Sequence, residues 1–278
     1  MRESLSLQHQ TLISQACHEL QLPFSEYNFS TLYLFRNKHQ YEILSFDNSR
    51  YVIFGRSYQG EPFLLPLFIP EDWSELIDFG REQKVSYIFP VHESYFEQFG
   101  EYSIDVREEE SDYLYKREAI ERYKGRHYDG HRNAIRHLLT EHRVEITAFG
   151  RDQRDEASFV VEQWRKDHAQ ADAEECLEAI EKFELLGISG VMLYIDGLPS
   201  GILLGEMLTK EIYLNHFIKG IQKYRGIYQY LYQQGAKMAP SCVHMLNWEQ
   251  DLGISFLRAA KKMYHPISLL HKGRVMIA

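Results

Sequence analysis

Hydrophobic and polar positions alternate along the chain in a way that predicts a sequence of short elements. A helix is expected over residues 4–20, followed by strand-like runs at 41–46, 51–57 and 63–69. Turn chemistry separates the runs, Asp47-Asn48-Ser49 and then Gln59-Gly60-Glu61-Pro62, so an antiparallel meander is expected. Pro70 to Glu75 opens a helix over 73–83 with acids in its first turn, where the helix dipole favours them. A short buried strand (85–90) and a short helix (93–99) follow. Charge and aromatics are dense from Asp112 to His142, and Ala134, Ile135, Leu138 and Leu139 form the apolar stripe of a helix starting at His131. Further on, the pattern predicts a strand (144–149), helices (152–168 and 173–186) and strands (189–195, 202–208 and 212–218). Gly187 stops the second of these helices, and Asp196-Gly197 is a hairpin signal. A helix (226–238), a strand (243–246) and a helix (253–264) complete the series.

Strand, two helices, three-strand meander, helix, strand, helix is the order of elements in a GNAT domain, the acyl-coenzyme A N-acyltransferase fold. The first hundred residues give a shorter version of it, with no residue-level repeat. The expectation is therefore an α+β or α/β chain of two tandem GNAT-like domains, with mixed sheets flanked by helices. The boundaries read as 1–110 for the N-terminal domain, 111–143 for a helical, basic connecting segment and 144–278 for the C-terminal domain.

Composition supports this picture: 278 residues with 44% hydrophobic and 26% charged allow a sizeable core. No apolar run approaches the roughly 20 residues that span a bilayer, and residues 1–10 lack the apolar core of a signal peptide. Cys17, Cys176 and Cys242 are scattered and odd in number, which argues against a disulfide framework and for a reducing cytoplasm. The net charge of −9 argues against a surface coated for non-specific nucleic-acid binding. The charge is uneven, however. From Met207 onward ten Lys or Arg face three acids. Either this half receives an anionic ligand such as a phosphate ester, coenzyme A or RNA, or acids elsewhere neutralise it.

Two segments carry candidate chemistry. In Lys219-Gly-Ile-Gln-Lys-Tyr-Arg-Gly-Ile-Tyr228 a strand ends, a glycine allows close approach and a helix begins, which makes an anion site from exposed N–H groups and the helix dipole. GNAT enzymes grip the coenzyme A pyrophosphate here with a Gln/Arg-x-x-Gly-x-Gly/Ala loop. This chain offers Lys223, Arg225, Gly226 and Tyr228, and Lys219 nearby; a solvated basic turn is the alternative. The second segment is 246–266. Asn247, Glu249 and Asp251 lie where a strand's carboxyl end meets a helix, the edge that holds ligands in open α/β sheets. Glu249 or Asp251 is the candidate general base, and Arg258 and Lys261, on one helix face, are candidates to hold an anionic group. For Asp251, helix capping is the competing reading.

Ser111-Asp-Tyr-Leu-Tyr, Lys124-Gly-Arg-His-Tyr, His131-Arg-Asn133, Asn247-Trp-Glu-Gln-Asp-Leu-Gly and Leu257-Arg-Ala-Ala-Lys-Lys-Met-Tyr264-His-Pro, with the early Ser25-Glu-Tyr-Asn-Phe-Ser, are together specific. Through them the chain resembles, over nearly its whole length, the bacterial family named for the C-terminal domain of phosphatidylglycerol lysyltransferase. The resemblance implies two GNAT-like domains and an acyl or aminoacyl transfer to an amine or hydroxyl acceptor, a small molecule or a lipid. It also implies a coenzyme A ester or aminoacyl-tRNA as donor, with no covalently bound cofactor. Arg132, Asn133, Arg258, Lys261 and Tyr264 are the substrate-side residues it suggests. The chain departs from the family where Ile218 replaces a carboxylate and where Trp248 stands in the Asn-x-Glu-x-Asp motif.

A metal site is not expected. His127 and His131 stand four apart, but Gly130 intervenes and no third ligand is evident. Three function classes remain: a GNAT-type transferase, a non-catalytic ligand-binding relative, and a protein associated with nucleic acid through its basic second half; the aromatic and basic mixture from Tyr113 to His137 fits either contact with an RNA end or an interface between the two domains.

Overall fold

The computed structural model describes residues 2–168 and 172–277. Its elements begin with β1 (Arg2–Ser4), α1 (Gln10–Leu20), α2 (Phe29–Leu34), α3 (Arg36–His39), β2 (Glu42–Ser45), β3 (Tyr51–Arg56) and β4 (Pro62–Pro66). Next come α4 (Trp73–Glu82), β5 (Tyr87–Val91), β6 (Ile104–Val106), β7 (Asp112–Lys116), α5 (Arg117–Arg122), α6 (Asp129–Glu141), β8 (Val144–Ala148), α7 (Arg154–Arg165) and α8 (Ala173–Leu186). The chain ends with β9 (Ser189–Ile195), β10 (Leu198–Met207), β11 (Ile212–Gly220), α9 (Ile227–Met238), β12 (Met245–Asn247), α10 (Ser255–Lys262), β13 (Ser268–Leu270) and β14 (Gly273–Met276). No helix among the described residues is long and apolar enough to cross a membrane.

Two compact units result. Unit 1 comprises Met1–Tyr113, Glu249–Ala259 and Leu269–Ala278; unit 2 comprises Leu114–Trp248 and Ala260–Ser268. This division differs from the contiguous boundaries expected at 110 and 143. The basic middle segment belongs to unit 2, because β7 pairs with β12 there. The chain's last strand belongs to unit 1, because β14 is hydrogen-bonded between β5 and β6.

The unit 1 sheet runs β1-β2-β3-β4-β5-β14-β6. Its core joins Phe54, Leu64, Ile88 and Val275 to Trp73, Leu76 and Ile77 of α4, an apolar stripe at helical spacing. Asp72 caps α4 by accepting the Ser74 N–H at 2.8 Å. The sheet of unit 2 runs β7-β12-β11-β10-β9-β8, with β13 beyond β7. One face of it packs Val191, Leu193 and Leu203 against Leu138 of α6 and Ile227 and Leu231 of α9. Asp196 and Gly197, both left-handed, turn β9 into β10 as the Asp-Gly pair predicts.

Three local expectations change. The first helix starts at Gln10, since Arg2–Ser4 pairs with β2 at the sheet edge. Residues 112–116 are strand, not helix, with Asp112 to Tyr115 all buried. The strands near the C-terminus were not expected, because Arg274 interrupts the apolar pattern of β14. Its guanidinium is neutralised by Glu110, at 2.7 Å from Nε, and by Glu61 at 3.0 Å.

Candidate functional site

The site in unit 2 is made by how β11 loses its neighbour. β11 runs antiparallel to β10 along nearly its whole length, but parallel to β12 only from Ile212 opposite Met245 to Leu214 opposite Asn247. Beyond those three pairs the carboxyl ends of the two parallel strands no longer pair. A crevice outside such strand ends is where open α/β sheets hold ligands. A β-bulge falls at the same level: Gly205 lies opposite Asn215 and Leu204 opposite Phe217, so His216 is the extra residue on β11. Gly205 permits this close approach, since a Cβ there would stand 2.3 Å from the Leu214 carbonyl oxygen. The His216 side chain is fully buried, and its Nε2 lies 2.7 Å from Glu206 Oε1.

Lys219, three residues on, is buried too. Its Nζ contacts Asp172 Oδ1 at 2.6 Å and sits 3.8 Å from the centroid of the Trp164 ring, a cation held by a carboxylate and an aromatic face. Trp164 in turn stacks on His168, which meets Gln222 at 3.0 Å. Of the turn residues, Lys223 and Arg225 are exposed, with Lys223 Nζ over the Tyr224 ring. Gly226, at φ 93°, starts α9, and a Cβ there would lie 2.3 Å from the Ala134 carbonyl oxygen of α6. Tyr228 donates its hydroxyl to the Gly220 carbonyl at 3.2 Å, and burial pushes its phenol up. α9 has no acid in its first turn. In unit 1 the corresponding helix α4 carries Glu75 there, and its Ser74 N–H donates to Asp72. Of these two helices, α9 is the one whose start suits an anion.

Past β12, Asn247 is buried, and Trp248 lies between Tyr232, with ring centroids 3.7 Å apart, and Tyr115 at 4.0 Å. Lys261 is an internal clamp: its ammonium donates to the Trp248 carbonyl at 2.5 Å, while its own carbonyl accepts from Tyr115. Tyr264 is buried against Trp248, Tyr232 and His131, and its carbonyl accepts the Tyr128 hydroxyl at 2.8 Å. Burial, with smaller contributions from His265 and His127, lowers His131 to about 4, so its ring is neutral near pH 7. Arg132 donates to the Tyr123 and Gly125 carbonyls and to Asp129. Asn133 is exposed and accepts from Arg136 at 3.1 Å.

The remaining predicted residues belong to unit 1. Glu249 has a left-handed backbone (φ 56°), and its carbonyl accepts the Tyr113 N–H. Asp251 is buried and accepts from Arg258 at 2.7 and 3.0 Å, from the Tyr113 hydroxyl at 2.6 Å and from the Gly253 N–H at 2.8 Å. Burial raises its pKa, but these donors outweigh that and hold it below the ordinary carboxylate value. Sequence reasoning assigned no role to the His216–Glu206 pair or to the Trp164–Asp172 seat of Lys219. The available signal was a His and a Glu set among apolar residues on the two strands of one hairpin.

The two sheets, each carrying an antiparallel meander followed by a parallel neighbour, define a tandem GNAT-like protein. The model of the family described as phosphatidylglycerol lysyltransferase, C-terminal, matches residues 19–272, and the chain belongs to that family. A conserved protein of unknown function from Bacteroides thetaiotaomicron is similar in structure over 100% of this chain and 99% of its own, with a TM-score of 0.89 and 20% identity. The C-terminal domain of a putative lysylphosphatidylglycerol synthetase from Agrobacterium fabrum is similar over 98% and 92% respectively, with a TM-score of 0.67 and 14% identity. FemX is similar over 100% and 96%, with a TM-score of 0.57 and 8% identity. No protein of curated function matches the sequence.

Proposed function

We propose that the chain is a transferase that moves an acyl or aminoacyl group onto an amine or hydroxyl acceptor at the opened ends of β11 and β12. The observation that carries this reading is the coincidence of three features in unit 2. The parallel pair stops at Asn247, the bulge sets the buried His216–Glu206 pair beside that point, and the basic Lys223–Arg225 turn leads into an α9 start free of acids. Family membership and the tandem GNAT-like fold agree with it.

In the proposed step the acceptor's nitrogen or oxygen attacks the donor carbonyl carbon. The bond from that carbon to the thioester sulfur or the ester oxygen breaks, and the leaving thiolate or alkoxide takes up a proton. His216, oriented by Glu206, accepts the proton of the attacking group. Lys223, Arg225 and the N–H groups at Gly226 and Tyr228 receive the donor's phosphates, whether of coenzyme A or of aminoacyl-tRNA. Asn247 lines the crevice from the β12 side. Glu249 and Asp251 belong to unit 1, where Asp251, with its oxygens engaged by Arg258, Tyr113 and Gly253, serves as an anchor. Lys261 and Tyr264 brace the wall behind Trp248, while Arg132 and Asn133 form its polar flank.

A second reading, a ligand-binding relative without chemistry, is favoured by Ile218, which packs against the apolar core of unit 2 at the position where the family resemblance implies a carboxylate. Thermal shift against coenzyme A, its esters and aminoacyl-tRNA tests the phosphate site, since a ligand that binds the folded state raises Tm. Lys223→Ala with Arg225→Ala should abolish the shift; an unchanged shift would place the donor's phosphates elsewhere. A shift with no transfer to any acceptor would favour the second reading.

A further inference from the structure

Past their last paired residues, β11 and β12 each send a side chain to one wall of unit 2. Ile218, farther along β11 than Leu214, packs against the apolar cluster that also receives Tyr228 and Tyr232 of α9. Trp248, the residue after Asn247, stacks on the same Tyr232. Tyr264 meets both Tyr232 and Trp248 edge-on, with ring centroids 4.9 and 5.0 Å away. All of these residues belong to unit 2. The α9 side of the opening is therefore lined by an aliphatic side chain and aromatic rings, the usual material of a small-molecule pocket.

The wall is uncharged. Burial pushes the phenols of Tyr232 and Tyr264 up, so both stay protonated, and among the described residues of unit 2 the ionisable groups that act on them are other phenols. His131, whose ring centroid lies 4.7 Å from that of Tyr264, is neutral near pH 7. The Lys261 ammonium lies behind the wall on the Trp248 carbonyl. The Trp248 ring is covered on both faces, by Tyr232 and by Tyr115, so it offers no open face to a cation. The place in unit 2 that suits an ammonium, the Trp164 face beside Asp172, is already filled by Lys219. A charged group pressed against the wall would lose its water with no counter-ion in exchange. The wall is also short of hydrogen bonds. Trp248 is 3% exposed and its indole Nε1 is buried without a partner, as is Nε2 of His131. Nearly all buried donors in folded proteins are paired, so this N–H calls for an acceptor that an occupant brings.

We propose that this wall receives the acyl group of the donor and selects one whose side chain is uncharged, aliphatic or aromatic, with an oxygen that accepts from the Trp248 N–H. The proposal rests on the transferase reading for the nature of the donor, but it is measured by binding alone. The test is equilibrium binding of matched donors to the full chain. Benzoyl-coenzyme A is compared with β-alanyl-coenzyme A, and phenylalanyl-tRNA with lysyl-tRNA, each tRNA pair sharing its α-amino group. Coenzyme A and deacylated tRNA serve as the bare carriers. In the arm that binds, the uncharged group should bind about tenfold or more tighter than the cationic one, and tighter than its carrier. Trp248→Phe keeps a stacking ring and removes the N–H. It should weaken the uncharged donor by about tenfold and leave the carrier's affinity unchanged. Ile218→Glu sets a carboxylate in the wall and should move the preference toward the cationic group. Melting temperatures certify the fold of each variant. Cationic donors bound as tightly as uncharged ones by the wild type, or a folded Trp248→Phe variant with unchanged affinities, would overturn the proposal. The transferase reading fails separately. Preference in binding with no transfer would leave the acyl wall standing and remove the chemistry, whereas transfer with no preference would do the reverse. Binding of neither donors nor carriers would overturn both.

Discussion

Lys272 shows how much of unit 1 depends on single buried charges. Its ammonium is fully enclosed and contacts Asp112 at 2.6 Å, Glu26 at 2.8 Å and the Ser25 hydroxyl at 3.4 Å. Lys272→Ala leaves two carboxylates buried without their cation. We expect a loss of about 3–5 kcal/mol, read from urea denaturation, since breaking a buried pair costs far more than the pair contributes. A loss too small to measure would contradict this placement of Lys272. The same cluster sets a pH dependence. Burial, aided by the Asp112 charge and opposed by Lys272, raises Glu26 from 4.5 to about 7. The folded state thus holds a proton that the unfolded chain releases near the ordinary value. This contribution to stability is fully present below about 4.5 and is lost as pH rises through about 7. Glu26→Gln should flatten the decline in unfolding free energy between pH 5 and 8 relative to wild type; parallel curves would show that Glu26 does not titrate there. None of this was legible in the sequence. Ser25-Glu26 and Lys272 lie far apart in the chain, and a lone lysine near a C-terminus reads as surface charge.

At the scale of elements, local signals held where their cause is local. The Asp196-Gly197 hairpin, the helix opening after Pro70 and the Gly187 helix stop were all readable, because each depends on residues within a few positions. The turn before α9 was readable for the same reason. What Gly226 does there was not, since its φ of 93° and the nearness of the Ala134 carbonyl belong to tertiary packing. Gly226→Ala should cost about 1–3 kcal/mol from the backbone alone and lower donor binding along with Tm. A variant as stable as wild type would show that the turn is not pinned to α6. The bulge at His216 escaped notice because a one-residue insertion is visible only once both strands are in register. Lys219 was legible as a cation near the turn. Its seat between Trp164 and Asp172 was not, because Asp172 lies 47 positions away.

For the whole molecule, the order of elements made the tandem GNAT-like fold legible, and the charge asymmetry pointed to the C-terminal half. The interleaving of the units was hidden. β14 contributes Val275 to the core of unit 1 from the far end of the chain, while Arg274 in the same strand masks its apolar character. The account places chemistry in unit 2, where β11 and β12 part. The most direct test follows a labelled acyl group from acyl-coenzyme A, and a labelled aminoacyl group from aminoacyl-tRNA, to a panel of amine and hydroxyl acceptors, with wild type and Glu206→Gln side by side. Transfer from one of the two donors is predicted, with Glu206→Gln lowering kcat by about 10²-fold or more while donor binding is kept. A folded protein that binds donor yet transfers nothing, or a Glu206→Gln variant as fast as wild type at every pH, would contradict the account.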